Sequence, residues 1–167
     1  LVAVGIGTDD SEAFAPVGSA VLLIDARTGK LRSKLKFDVG IPFGLAVEPR
    51  DARVLVGLTS GEMFRLEPSS GALERVPPFA EGALLSHTFV AGPKALVFDS
   101  SGATLWVALN GEQARTSILE IDWKAHKVRR KIPLEGETET LTLSADEDLL
   151  LRGTRLGKWE LWAASAE

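Results

Sequence analysis

The feature of this sequence that most constrains its fold is a four-strand unit that recurs along almost the whole chain. Short apolar segments that lead into polar turns start successive units, and their equivalent leucines, Leu45, Leu96 and Leu141, lie 51 and 45 residues apart. A second strand, which ends in a glycine turn, and then a third and a fourth strand follow. A period of about 40 to 50 residues is typical of β-propeller blades, each of which is a four-stranded sheet.

Counting by unit gives 14 expected strands: the second to fourth in the first unit, all four in each middle unit, and the first to third in the last. The units cover approximately residues 1–41, 42–93, 94–138 and 139–167. Helices are disfavoured, because glycine and proline interrupt every window before a helical apolar period can build up. The sequence therefore predicts an all-β fold, a β-propeller with about four visible blades.

The strands also differ in which faces they are expected to bury. The first three strands of each unit are apolar at nearly every position, as in sheets that are covered on both faces. The fourth strand alternates, with Leu31, Leu35 and Phe37 on one side and Lys30, Arg32, Lys34 and Lys36 on the other. We therefore place the fourth strand at the outer edge of each blade.

Closed propellers usually contain four to eight blades of four strands. Fourteen strands fall short of four full blades, so we expect this segment to belong to a larger propeller, completed by blades from the same or another chain. If it were not completed, the last strand, with Trp159 and Trp162, would expose apolar surface and unpaired backbone groups.

Two segments, GLAVEPRDARVLVGLTSGEMFRLEPSSG and TLTLSADEDLLLRGTRLGKWELWAAS, resemble WD-repeat units. Leu161 and Trp162 stand where that motif has its tryptophan. The acidic residue that follows in the motif is present in three units, as Asp25, Glu67 and Asp122, and is Ala163 in the last; the Gly-His pair of the motif is absent. The stretch IDARTGKL with VGIPFGLAV is also similar to the YVTN family of propellers.

Composition and charge exclude several kinds of function. The chain carries 19 basic and 23 acidic residues, and its net charge of -4 gives no overall attraction to nucleic acid or to an anionic membrane. There is no cysteine, which rules out disulfides and thiolate chemistry and fits a reducing compartment, although an extracytoplasmic propeller is equally compatible with it. The sequence therefore leaves the compartment open, with a cytoplasmic location favoured. The apolar runs are far shorter than the roughly 20 residues of a membrane-spanning helix.

The sequence contains no recognisable set of catalytic residues. The two histidines, His87 and His126, are expected on opposite faces of the propeller, so they do not form a metal site together. The acidic clusters fall in turns, where solvated carboxylates are ordinary. The four tryptophans, Trp106, Trp123, Trp159 and Trp162, are interpreted as core packing and not as a platform for a flat cofactor. We therefore expect no catalytic residue, metal or cofactor in this segment.

Three connections are longer than the others, at residues 8–19, 80–93 and 110–116. Because strands in a blade run alternately up and down, all three are expected on one face, and insertions gathered on one face often mark the binding side. Tolerated variation in loop length is the alternative explanation. The candidate partner-binding residues are Asp9, Asp10, Phe14, Leu85, His87, Phe89, Gln113 and Arg115.

The basic residues of the outer strands allow two interpretations. Lys30, Arg32, Lys34 and Lys36, with Lys127, Arg129 and Lys131, could meet an anionic partner such as nucleic acid. Lysine on an edge strand also deters edge-to-edge pairing between sheets, and the overall negative charge favours this second explanation.

The resemblance to WD repeats implies a non-catalytic scaffold that mediates protein–protein interaction with other subunits of a larger assembly. The resemblance to YVTN propellers implies an extracytoplasmic bacterial protein instead. A third hypothesis is part of a propeller enzyme whose active site lies outside this segment.

Overall fold

The computed structural model describes residues 2–9, 16–38, 40–77, 93–110 and 116–164. These residues form strands and turns, and none of the described elements is a helix long and apolar enough to cross a membrane. The strands are β1 (Val2–Asp9), β2 (Pro16–Ile24), β3 (Leu31–Lys36), β4 (Pro42–Val47), β5 (Val54–Leu58), β6 (Met63–Leu66), β7 (Leu73–Arg75), β8 (Pro93–Phe98), β9 (Thr104–Leu109), β10 (Thr116–Asp122), β11 (Lys127–Leu134), β12 (Thr138–Leu143), β13 (Leu149–Thr154) and β14 (Trp159–Ala163).

The strands form four antiparallel sheets, in which each strand pairs with its neighbour in sequence. Sheet 1 contains β1 to β3, sheet 2 contains β4 to β7, sheet 3 contains β8 to β11, and sheet 4 contains β12 to β14. The basic strands β3 and β11 lie at sheet edges, as the alternating pattern predicts. The all-β propeller architecture expected from the repeat is confirmed, with 14 strands among the described residues.

The sheets stack face to face in chain order, with one layer of apolar side chains at each interface. Val21 and Leu23 of sheet 1 pack on Val54 and Val56 of sheet 2. The layer between sheets 2 and 3 contains Leu55, Met63, Leu105 and Leu119. The layer between sheets 3 and 4 contains Trp106, Ile118, Leu141 and Leu150. Consecutive sheets therefore bury each other, as blades of a propeller do.

Small residues let the inner strands of sheets 2 and 3 approach closely. A Cβ atom on Gly44 would lie 2.6 Å from the carbonyl oxygen of Pro93, and one on Gly57 would lie 2.5 Å from the ring Cγ of Pro93. Real Cβ atoms do not reach such distances, so glycine is needed at both positions for β8 to pack where it does.

One expectation about the core is wrong. Trp106 and Trp123 are buried, at 3% and 8% exposure, but the side chain of Trp159 is 65% exposed. Trp159 and Trp162 lie on opposite faces of β14, and only Trp162 faces the apolar layer shared with sheet 3. Trp159 therefore points to a face of sheet 4 that no described residue covers, which the composition of the strand alone could not reveal.

Candidate interaction surface

The side chains predicted to contact a partner lie outside the part of the chain that the structure describes. Asp9 is the last residue of β1, and only its backbone belongs to the described part; the others are Asp10, Phe14, Leu85, His87, Phe89, Gln113 and Arg115. Their role as a binding site stays a prediction.

The strands that flank the three longer connections end on one face of the propeller. The second strands β1 and β9 and the outer strand β7 all end there, because neighbouring strands alternate in direction. Asn110, directly after β9, marks this face: its side-chain amide bonds both backbone groups of Thr138, the first residue of inner strand β12, at 2.9 and 3.0 Å. We refer to this end of the sheets as the connection face.

The opposite end carries a shallow groove of about 380 Å³ where the inner strands β4, β8 and β12 finish. Hydrogen bonds join the turns that form it. The guanidinium of Arg50 donates to the carbonyl oxygen of Ser101 at 2.8 Å, and the backbone N–H of Ser100 donates to the Glu147 carboxylate. The turns of sheets 2, 3 and 4 thus form one continuous rim.

The polar groups of this groove are used by the turns themselves. Asp99 Oδ1 accepts hydrogen bonds from the backbone N–H groups of Ala103 and Thr104, at 2.8 and 3.1 Å. The Ser144 hydroxyl donates to Asp146 and, with the N–H of Asp148, lowers the pKa of that carboxyl. Within the described ranges no cluster of three metal-ligating side chains occurs. The groove therefore presents hydrogen-bonded turns and no isolated acid–base pair.

In sheets 1, 2 and 3, an acidic residue at the end of the third strand stabilises the turn that follows the strand. Asp25 Oδ1 accepts hydrogen bonds from the N–H groups of Arg27 and Thr28, both at 3.0 Å, while its other oxygen binds Arg32. The Arg32 guanidinium and these two N–H groups lower the pKa of Asp25 from 3.8 to about 2. This role within the turn explains why residue 25 is acidic, and no binding partner is needed to explain it.

The equivalent residues repeat that arrangement. Asp122 accepts a hydrogen bond of 2.9 Å from the N–H of Ala125 and pairs with Arg129, and both contacts lower its pKa. In sheet 2, the hydroxyl and N–H of Ser69 bond Glu67 and lower its pKa. Two of the basic residues on the outer strands, Arg32 and Arg129, therefore serve turns, and the lysines beside them are exposed along sheet edges.

Two buried polar clusters were not expected from the sequence. Glu48, 5% exposed, bonds both the guanidinium of Arg65, at 2.8 and 3.0 Å, and the indole of Trp123, at 3.0 Å. In sheet 4, the guanidinium of Arg152 is only 1% exposed and bonds Glu160 at 2.6 Å. The sequence signal for such clusters is a lone charged residue inside an apolar strand, since a charged residue needs a partner when it is buried.

Arg152 holds the chain entering the inner strand of sheet 4. Its Nε donates to the Thr138 hydroxyl at 2.8 Å, and its Nη2 lies 2.7 and 2.6 Å from the carbonyl oxygens of Glu135 and Gly136. Together with the Asn110 contacts, this fixes the start of β12 at the connection face. Buried polar groups therefore hold the start of β12 in place at that face.

The outward face of sheet 4 brings several exposed apolar side chains together. Trp159 and Leu161 are each 65% exposed on it, and Leu149 is 41% exposed. Leu151, paired with Leu161 across β13 and β14, lies between them. We call these residues, with Thr140 and Thr142 of β12, the outward face of sheet 4.

No protein-family model matches the chain, and no curated protein matches it. Among solved structures, hydrazine synthase from Kuenenia stuttgartiensis is similar, with a TM-score of 0.64 and 19% sequence identity. The match covers 86% of this chain and 40% of that chain, so the sequence spans less than half of the length of that neighbour. At this identity the likeness shows the fold alone, and it agrees with the β-propeller architecture described above.

Proposed function

We propose that this chain is a non-catalytic, WD-repeat-like propeller scaffold that binds other protein subunits through its connection face. The observation that carries the proposal is that strands β1, β7 and β9, which lead into the three longer connections, end at the same face, where Asn110 and Arg152 hold the start of β12. A rigid sheet scaffold that presents variable loops is a common basis for binding.

The end of the sheets opposite the connection face also supports the scaffold assignment, because its acidic groups are used within the turns. The turns there are short, and the acidic side chains described at that end, such as Asp25 and Asp99, bond backbone groups of their own turns. Groups used in this way are poorly placed to act on a substrate. Hydrazine synthase is an enzyme by name, but a likeness of 19% identity carries no activity to this chain.

Affinity purification with loop variants tests the proposal. The native chain is compared with one in which Leu85, His87 and Phe89 are replaced by serine and with one carrying Gln113→Ala and Arg115→Ala. The matched control carries Arg27→Ala and Lys124→Ala, at exposed turn positions of the opposite end. Captured proteins are quantified by mass spectrometry.

We expect some proteins to be captured equally by the native chain and by the control. At least one loop variant is expected to capture these proteins about tenfold less, or weaker still, and a tenfold loss corresponds to about 1.4 kcal/mol of binding free energy. Retention of every captured protein by both loop variants would contradict the proposal. A stoichiometric metal or chromophoric cofactor in the purified native chain, found by elemental analysis and absorbance, would favour the enzyme hypothesis.

A further inference from the structure

The shallow groove at the end of the sheets opposite the connection face has a largely apolar lining. Its volume is about 380 Å³, and all of its lining residues belong to sheets 2, 3 and 4 and their turns. The apolar lining residues include Ala46, Pro49, Val97, Phe98, Leu143 and Ala145. This volume is near the lower end of the range for ligand pockets, so the groove has room for a few side chains and not for a folded domain.

The turns around this groove are strongly acidic. The turns that follow the inner strands, residues 48–53, 99–103 and 144–148, together carry six carboxylates and two guanidiniums, a net charge of -4. The net charge of the whole chain is also -4, so the charges of all other residues cancel. The excess negative charge of the protein is therefore concentrated in the turns beside one groove.

Two of these charged groups pair with residues outside the three turns. The Glu48 carboxylate binds the guanidinium of Arg65, and the Arg53 guanidinium lies 3.6 Å from Glu67. Five carboxylates and the guanidinium of Arg50 then remain beside the groove. The imbalance there is still four negative charges after these pairs are set aside.

Other cations at this end of the sheets lie further out. The turns between the third and fourth strands are at the outer side of each sheet, away from the inner strands that border the groove. Their cations are Arg27, Lys30, Lys124 and Lys127. Arg129 is within electrostatic reach of Asp99, whose charge contributes to raising the pKa of Arg129, but its guanidinium binds Asp122. Anions therefore border the groove, and these cations are peripheral.

Glu147 supplies one of the two carboxylates that line the groove. Its φ of 64° is left-handed, as is the φ of 67° at Gly102, the equivalent turn position in sheet 3. Glutamate is strained in this conformation and glycine is not. The backbone N–H of Ser100 donates to the Glu147 carboxylate, which can accept about four hydrogen bonds. The carboxylate is therefore held at the groove and retains capacity to bind a cation.

We propose that this groove binds an extended segment of a partner protein in which one lysine or arginine is flanked by small apolar residues. The cation pairs with the Glu147 carboxylate, and the flanking residues cover the apolar lining. The same negative charge repels acidic segments and nucleic acid. This binding uses the end of the sheets opposite the connection face and is independent of the scaffold role proposed above.

Amide NMR spectra of the 167-residue chain, titrated with the blocked pentapeptide Ala-Val-Arg-Val-Ala, test the proposal. We expect saturable shifts at Val97, Ser100 and Leu143, and no saturable shift at Asn110 on the connection face. Two control peptides carry glutamine or glutamate in place of the central arginine, and each is expected to bind at least about threefold more weakly. Added salt is expected to weaken binding of the arginine peptide.

Substitutions of Glu147 separate binding from folding. Glu147→Gly removes the carboxylate and relieves the backbone strain, so circular dichroism is expected to show a folded chain. Glu147→Gln keeps a side chain of similar size without the charge. Both variants are expected to bind the arginine peptide about threefold more weakly or less tightly still. Glu135→Gln is the matched control, because Glu135 is an exposed glutamate away from the groove, and it is expected to bind like the native chain.

Four results would overturn the proposal. The first is the absence of saturable shifts at the groove up to the solubility limit of the arginine peptide. The second is equal affinity for the three peptides, and the third is native affinity in both Glu147 variants. The fourth is binding of spermine as tight as that of the arginine peptide, which would show that the groove selects charge alone and not a flanked side chain.

Discussion

The indole Nε1 of Trp123 in sheet 3 donates a hydrogen bond of 3.0 Å to the carboxylate of Glu48 in sheet 2. The same carboxylate binds Arg65, whose guanidinium lies 4.8 Å from the centre of the Trp123 ring. The interface between these sheets therefore combines an apolar layer with one satisfied polar cluster. The cluster fixes the relative position of the two sheets, because the hydrogen bonds have directions that apolar contacts lack.

Trp123→Phe is expected to lower the free energy of unfolding by about 1.5 to 3 kcal/mol. The substitution removes a hydrogen bond to a charged group and leaves Glu48 with Arg65 alone. Urea denaturation measures the change, at a concentration where the chain is monomeric. Trp159→Phe is the matched control and is expected to change stability by less than about 0.5 kcal/mol, because Trp159 is 65% exposed. Equal effects of the two substitutions would contradict this account of the interface.

Arg152→Met is expected to lower the free energy of unfolding by about 3 kcal/mol or more. It would leave Glu160 and two carbonyl oxygens at the start of β12 without their donor, and breaking a buried ion pair from one side is strongly destabilising. Arg155→Met is the control: the Arg155 side chain is 71% exposed and pairs with Glu137 at 3.2 Å, so less than about 1 kcal/mol is expected. A loss at Arg152 as small as that at Arg155 would show that the cluster contributes little to stability.

Asp25→Asn is expected to reduce the sensitivity of the fold to acid. The pKa of Asp25 lies near 2 in the folded protein and near 3.8 ordinarily, so its contribution to stability is present above pH 4 and is lost as the pH falls toward 2. The native chain should exceed the variant in stability at pH 6, and the difference should shrink as the pH falls through 2 and vanish below it. Urea midpoints at steps of pH measure this, with Asp38→Asn, at another exposed position, as the control. A difference that stays constant with pH would argue against the Asp25 contacts.

Gly57→Ala is expected to destabilise the chain by about 1 to 3 kcal/mol through overpacking between sheets 2 and 3. The added Cβ would lie 2.5 Å from Cγ of Pro93. Combining it with Pro93→Ala removes that ring atom, so the double variant is expected to lose less stability than the sum of the single variants. Additive losses, measured by thermal denaturation, would indicate that the Pro93 ring is not what limits position 57, since the Pro93 carbonyl oxygen, 2.8 Å from the added Cβ, remains in the double variant.

The sequence was sufficient to predict the strands and their grouping, because both follow from local patterns that repeat along the chain. Equivalent leucines such as Leu45 and Leu96 mark the inner strands, and the alternation in β3 marks an outer edge. Exposure of the last strand was expected only if no further sheet covers it, and local patterns did not decide which of its tryptophans is exposed. Whether a strand residue is buried depends on which sheet covers it, and this is a property of the stack and not of the strand.

The polar clusters were also beyond the reach of local patterns. Glu48 and Trp123 are 75 residues apart in sequence, and their hydrogen bond exists only because sheets 2 and 3 are adjacent. Arg152 and Glu160 were closer to prediction, since a lone arginine in a strand requires a partner and the next strand of the hairpin supplies one. The role of the candidate partner-binding residues, such as His87 and Arg115, stays a prediction from the sequence.

The stacking of consecutive sheets on which this account depends is tested most directly by an engineered disulfide between sheets 1 and 2. The chain has no cysteine, and a Cβ on Gly5 would lie 3.1 Å from Cβ of Pro42, which is within a small backbone shift of disulfide geometry. The variant with Gly5→Cys and Pro42→Cys is expected to form an intramolecular disulfide on mild oxidation, seen as the loss of two hydrogen atoms in the intact mass, while Gly5→Cys alone keeps its thiol. Two reactive thiols in the folded double variant would contradict the stacked arrangement.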